Sequence, residues 1–155
     1  MSALKRIAHG FTLVEILIVV VILGILTAIV IPQFVSASEN AKQSDLKTQM
    51  QAVRSQLELY KIQHNDNYPT LAQMFGNLTV STDAAGNTSG TLFGPYLQKP
   101  PINPFTPGTN GAELATAAAS TVGWVFNATS GVFQASLSAA QASDLTLDTA
   151  DYLTY

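Results

Sequence analysis

The chain has 155 residues, a formal net charge of -3 and no cysteine, so it is long enough for one domain of ordinary size plus an attached segment. The lack of cysteine excludes disulfides, thiolate metal sites and a thiol nucleophile, and no Lys/Arg cluster beyond the first few residues supports nucleic-acid binding. Apolar residues make up 47% of the chain but are concentrated near the N-terminus. This uneven distribution indicates that the N-terminal part and the more polar remainder lie in different solvents.

The first predicted element is a membrane-spanning helix close to the N-terminus. Roughly twenty residues from Phe11 to Ile31 form an almost entirely apolar run, about the length needed to cross a hydrocarbon core. Lys5 and Arg6 precede the run, and positive charge stays on the cytoplasmic side of a bacterial membrane. The rest of the chain is therefore predicted to lie outside the cytoplasm.

A cleaved signal peptide is the alternative interpretation of this run. The small residues around Ala37 would offer a cleavage site. The run is longer than the usual apolar region of about 7–15 residues, however, and it carries Glu15 near its start and Pro32 at its end. These features favour a helix that is retained.

The stretch "GFTLVEILIVVVILGILTAIVIPQF", residues 10–34, resembles the N-terminal segment of type IV pilins and of the pseudopilins of type II secretion. The resemblance implies that a prepilin peptidase cuts between Gly10 and Phe11 and methylates the new N-terminal Phe11. It also implies three parts: a leader of residues 1–10, a transmembrane and polymerisation segment of residues 11–32, and an external pilin-like domain of residues 33–155 that includes the second half of the helix.

Glu15 is the unusual residue of this segment, because charged residues in membrane helices are rare and usually functional. One interpretation is a carboxylate that extends to the lipid headgroups. The resemblance implies another role, in which Glu15 meets the liberated amino group of Phe11 in a neighbouring subunit. On this hypothesis the carboxylate is unsatisfied in the monomer and is paired in the filament.

The helix is predicted to continue well past the membrane, from about Thr12 to His64, or roughly 80 Å. Gly24 weakens it and Pro32 should kink it. Apolar residues then recur at spacings of three and four, which predicts an amphipathic face that covers a sheet. That face consists of Leu46, Met50, Val53, Leu57 and Tyr60, while Lys42, Lys47, Arg54, Glu58, Lys61 and the terminal His64 are predicted to lie at the surface.

The rest of the chain predicts a small β-sheet domain. A short helical turn is expected at Leu71 to Phe75, and five prolines between residues 95 and 107 favour a structured loop. The segments "TVGWVF" and "GVFQAS" predict a hairpin whose aromatic residues Trp124, Phe126 and Phe133 pack on the helix. The tail from Leu137 is ambiguous between a short helix and a poorly ordered end. The predicted fold is α+β and pilin-like, with the long N-terminal helix packed on a small antiparallel sheet.

The motif "YPT", the stretch "GPYLQKPPINPF" and the aromatic hairpin resemble the major, G-type pseudopilin. G-type pseudopilins commonly bind calcium near an Asp-Pro-Trp-Gly-like stretch, where this chain has Asn103, Pro104, Phe105 and Thr106. An amide with few nearby acids makes a weak site for a hard cation, so calcium is in doubt and no cofactor or metal site is predicted. The tail carboxylates Asp144, Asp148 and Asp151 are better explained as solvated.

The predicted function is that of a structural subunit that polymerises into a type II secretion pseudopilus or a related pilus-like filament. Expected partners are further copies of the chain, the prepilin peptidase, the secretion or pilus assembly machinery, minor pseudopilins and the inner membrane, with no nucleic acid. The chain would cross the inner membrane once, and its external domain would be periplasmic or extracellular. The alternative is a membrane-anchored binding module that does not polymerise. An enzyme is not predicted, because His9 and His64 have no catalytic partners in the pattern.

Overall fold

The computed structural model describes residues 10–106, 108–145 and 147–155. Helix α1 (Leu13–Gln63) is followed by a 3-10 turn (Leu71–Gln73) and helix α2 (Met74–Thr79). A second 3-10 turn (Gly108–Ala112) leads to the rest of the fold. The later elements are β1 (Leu114–Ala115), β2 (Trp124–Phe126), β3 (Phe133–Leu137), α3 (Ala139–Asp144) and β4 (Tyr152–Thr154). The chain divides into two units between residues 40 and 41.

The first unit contains the N-terminal part of α1, and the second unit contains the rest of this helix. The whole helix agrees with its predicted bounds, Thr12 to His64, to within one residue at each end. Its apolar side chains are exposed throughout; Leu13 and Ile31, for example, are 84% and 57% exposed. Among the described residues, α1 contains the one stretch that is long and apolar enough to cross a membrane. Pro32 lies inside the continuous helix, and the predicted bend at this residue stays a prediction.

In the second unit the predicted apolar face of α1 is buried. Leu46, Met50, Val53, Leu57 and Tyr60 are each at most 3% exposed, because their spacing places them on one side of the helix. They form a single hydrophobic core with the hairpin residues Trp124, Phe126 and Phe133, as predicted. Burial of this face is what holds α1 on the sheet.

The four strands form one mixed sheet in the order β1-β2-β3-β4. Strands β2 and β3 form the predicted antiparallel hairpin, with Phe126 opposite Phe133. The prediction of an antiparallel sheet is wrong for the two outer pairs, since β1 pairs with β2 and β3 pairs with β4 in parallel. For β3 and β4 the reason is the connection between them. The segment that contains α3 returns the chain to the end of the sheet where β3 begins, as parallel strands require.

His64 is buried, 3% exposed, which corrects the prediction of a surface residue. It lies four residues after Tyr60, so it extends the buried face by one turn, and its ring stacks on the Tyr60 ring with centroids 3.6 Å apart. Nδ1 lies 2.8 Å from the Tyr60 carbonyl, which can only accept, so Nδ1 donates. Nε2 lies 2.9 Å from the Thr82 hydroxyl, within hydrogen-bond distance. These contacts indicate a structural histidine.

The tail is ordered by an arginine that was predicted to be solvated. The guanidinium of Arg54 donates to the Phe133 carbonyl at 2.8 and 3.0 Å. It also pairs with Asp151 at 2.8 Å and donates to the Ala150 carbonyl. Arg54 therefore connects α1, β3 and the segment before β4, and the tail contains both α3 and β4 instead of a disordered end.

Candidate functional site

The N-terminus of α1 is formed by reciprocal hydrogen bonds between Thr12 and Glu15. The backbone N–H and the hydroxyl of Thr12 each donate to Oε2 of Glu15 at 2.7 Å, and the backbone N–H of Glu15 donates to the Thr12 hydroxyl at 3.2 Å. The Thr12 carbonyl accepts the first helical hydrogen bond, from Ile16. This arrangement is a capping box, in which the residue before the helix and the third helical residue satisfy each other's N–H groups.

The capping box corrects the hypothesis that Glu15 is unsatisfied in the monomer. Both bonds from Thr12 reach the same oxygen, Oε2, and no hydrogen bond from a described residue reaches Oε1. The ion pairs between described residues also leave Glu15 out. A carboxylate has about four lone-pair sites, so the cap satisfies part of its hydrogen-bonding capacity, and no cation of a described residue pairs with its negative charge.

Gly10 and Phe11 precede the cap, outside any helix or strand, and both are exposed to solvent. Phe11 is 81% exposed, and no heavy atom lies within 4 Å of the position where a Cβ on Gly10 would stand. The described residues therefore leave the backbone between Gly10 and Phe11 open to another molecule. The leader residues 1–9, with Lys5, Arg6 and His9, lie outside the described residues.

The loop that corresponds to the calcium stretch is held by neutral donors. Asn103 is 1% exposed, and its amide nitrogen donates to the carbonyls of Gly123 at 2.8 Å and Ser136 at 3.1 Å. Its amide oxygen accepts from the Phe105 N–H at 2.9 Å. Gly123 also accepts from the Ser136 N–H, so both lone pairs of the Gly123 carbonyl are used. Calcium prefers several carboxylate and carbonyl oxygens, and this donor set does not fit the ion.

The acidic tail residues do not converge on a metal site either. Asp151 pairs with Arg54, and Asp148 accepts from the Ala150 N–H at 3.2 Å within its own turn. In the part of the chain that the structure describes, no three His, Cys, Asp or Glu residues are placed to hold a metal ion. Asp144 ends helix α3.

An apolar groove lies between α1 and the proline-rich loop of the second unit. Its volume is about 510 Å³, and its titratable side chains are Asp45 and Lys99. Prolines and aliphatic residues line most of it, and it holds no nucleophile with an adjacent base, which nucleophilic catalysis requires. The groove does not have the composition of an active site.

An exposed apolar helix with a capped carboxylate at its start, followed by a small α+β domain, defines the class of pilin-like proteins anchored by their N-terminal helix. Residues 5–31 match the family model for the prokaryotic N-terminal methylation motif. Residues 33–110 match the model for type II secretion system (T2SS), protein G. The chain belongs to the type II secretion system protein G family.

Individual relatives agree with this assignment. The chain is 36% identical to the type II secretion system core protein G of Pseudomonas aeruginosa, over 69% of this chain and 80% of the relative. It is 35% identical to the core protein G of Aeromonas hydrophila, over 65% and 70%. It is also 40% identical to the type IV narrow pilus major component PilA5 of Thermus thermophilus, over 56% and 69%. No solved structure matches the chain significantly.

Family membership and the apolar helix together identify a membrane-anchored protein of the cell envelope with the features of a polymerising pseudopilus subunit. The family is structural and is not known for catalysis. Membership of this family implies assembly into a pseudopilus or pilus filament and processing by a prepilin peptidase.

Proposed function

We propose that the chain is cleaved between Gly10 and Phe11, methylated on Phe11, and assembled through α1 into a type II secretion pseudopilus or a related pilus-like filament. Residues 11–32 would cross the inner membrane once, and residues 33–155 would form the external domain. Partners would be the prepilin peptidase, the assembly machinery, minor pseudopilins and other copies of the chain. The observation that carries the proposal is the charge of Glu15 on an apolar, exposed helix, with Oε1 outside the capping box.

Cleavage would create a cation, the new amino group of Phe11, whereas no described residue of the uncleaved chain forms an ion pair with Glu15. Before cleavage, Thr12 supplies only neutral donors to the carboxylate. After cleavage, the amino group of Phe11 carries a positive charge, and the corresponding group of a neighbouring subunit can approach Oε1 without displacing Thr12 from Oε2. The attraction between such charges is much stronger in a medium of low dielectric constant than in water. The capping box and the contact between subunits are therefore compatible.

Two substitutions separate the charge of Glu15 from its role in the cap. Glu15→Gln removes the charge, but glutamine is also accepted at this position of a capping box. Thr12→Val removes the capping hydroxyl and keeps the charge, at a cost of about 1 kcal/mol in helix stability. If the charge drives assembly, Glu15→Gln should abolish filaments and Thr12→Val should retain them.

The experiment compares both variants with the unmodified chain in the native host. Filaments released by shear are quantified beside the membrane-bound subunit, and mass spectrometry determines its N-terminus. All three proteins should begin at methylated Phe11, since neither substitution changes the cleavage site. Normal filament yield from Glu15→Gln would refute the role of the charge, and an N-terminus after Ala37 would refute the retained helix. A processed chain that never yields filaments, even unmodified, would favour the non-polymerising binding module.

A further inference from the structure

The loop of residues 101–106, called here the 101–106 loop, is bound to the rest of the domain through its backbone carbonyls. Trp124 donates its indole N–H to the Pro101 carbonyl at 3.1 Å. The side-chain amide of Gln49 donates to the Ile102 carbonyl at 3.1 Å and accepts from the Ile102 N–H at 2.8 Å. Gln141 donates to the Phe105 carbonyl at 3.0 Å. Neutral N–H groups thus occupy carbonyl oxygens that a hard cation would otherwise bind.

Asn103 is the centre of this arrangement, and its surroundings require an amide. The carbonyls of Gly123 and Ser136 only accept, whereas the Phe105 N–H only donates. An amide offers two N–H donors and one acceptor on a planar group, which matches all three partners. A carboxylate would satisfy Phe105 but would face two carbonyl oxygens without a proton or cation between them.

The backbone of Asn103 is satisfied as well. Its N–H donates to the Gly111 carbonyl at 2.9 Å, and its carbonyl accepts from the Thr106 N–H at 3.3 Å. A cation at this place would have to displace hydrogen bonds that are already made. We infer that Asn103 holds the 101–106 loop on the sheet without a divalent cation, its amide group taking the place of the calcium ion that the family resemblance implies.

The test measures thermal unfolding of the processed full chain in detergent micelles by differential scanning calorimetry. One sample contains a chelator and the other contains calcium at about 1 mM, in the range that extracellular calcium modules require. The two transitions should coincide. A ligand that binds the folded state raises the unfolding temperature, so a rise of more than about 3 °C with calcium would overturn the inference.

Substitutions test the role of the amide itself. Asn103→Ala leaves two carbonyls and one N–H of the interior without this partner, so its unfolding temperature should fall by about 10 °C in calcium and in chelator alike. Asn127→Ala is the matched control, because Asn127 is exposed and its side chain bonds only within the hairpin turn, and its fall should be clearly smaller. Equal falls for the two variants would refute the role of Asn103. If Asn103→Ala does not fold, the calcium comparison on the unmodified chain decides the inference.

Discussion

Replacing Trp124 by alanine should destabilise the core that the sheet forms with α1. The Trp124 side chain is 0% exposed and lies on β2 within the core that includes Leu57 and Met50. Its ring stacks on Phe133 of β3, with centroids 5.0 Å apart, and its indole N–H binds the Pro101 carbonyl. The substitution therefore affects the hairpin, the core and the 101–106 loop together.

The magnitude follows from these contacts. Truncation of a buried tryptophan to alanine costs about 3–5 kcal/mol, from lost transfer free energy and the cavity that remains. For a domain of this size each kcal/mol lowers the unfolding temperature by about 2–4 °C, which predicts a fall of about 6–20 °C. Trp124→Phe is the matched control, since it keeps an aromatic ring beside Phe133 and loses the hydrogen bond to Pro101, so its fall should be smaller.

The assay is differential scanning calorimetry of the full chain in detergent, because Trp124 is the only tryptophan and its fluorescence cannot follow the variants. The expected order of unfolding temperatures is unmodified chain, then Trp124→Phe, then Trp124→Ala. An unfolding temperature for Trp124→Ala within about 2 °C of the unmodified chain would contradict the assignment of this ring to the core.

Two further predictions concern the surface of the second unit, residues 41–155. Arg54→Ala should increase hydrogen exchange in residues 147–155 because this segment loses the ion pair of Asp151 and the hydrogen bond to the Ala150 carbonyl. Lys42→Ala should leave exchange there unchanged, and equal protection in both variants would refute the role of Arg54. Hydrogen bonds from the Asn87 side chain and backbone lower the pKa of Asp83 below its ordinary value of 3.8, so this carboxylate stabilises the fold above that pH and the contribution is lost as pH falls through the lowered pKa. Melting temperatures of Asp83→Asn should therefore depend less on pH below about pH 4 than those of the unmodified chain, and parallel curves would exclude the effect.

The helix and the hairpin could be predicted because their patterns are local. The buried residues of α1 recur every three or four positions, and a helix turns once in 3.6 residues, so Leu46 and Tyr60 must share a face. Strand β2 consists of the strand-favouring residues Trp124, Val125 and Phe126, and a short turn joins it to β3, which places Phe126 near Phe133. These features need no knowledge of distant segments.

The predictions that are wrong concern residues whose contacts are made by segments distant in the sequence. His64 is buried by Thr82 and Phe93, and Arg54 finds partners nearly a hundred residues later. Strands β1 and β4 have only two and three residues, too few for a pattern of alternation. Asn103 was recognised as an amide at a position of interest, but only the fold shows that its partners are two carbonyls and one N–H.

The capping box could have been found from the sequence, since "TLVE" before an apolar run has the required spacing. Both interpretations of Glu15, a carboxylate that extends to the headgroups and one that meets a neighbouring subunit, leave out its hydrogen bonds with Thr12. The cap and the proposed assembly role are compatible, since both bonds from Thr12 reach Oε2 and no described residue donates to Oε1. A glutamine would satisfy Thr12 equally well, so the cap alone does not explain a charged residue at this depth. Among the described residues Glu15 has no cationic partner, so the comparison of Glu15→Gln with Thr12→Val decides whether its charge serves assembly.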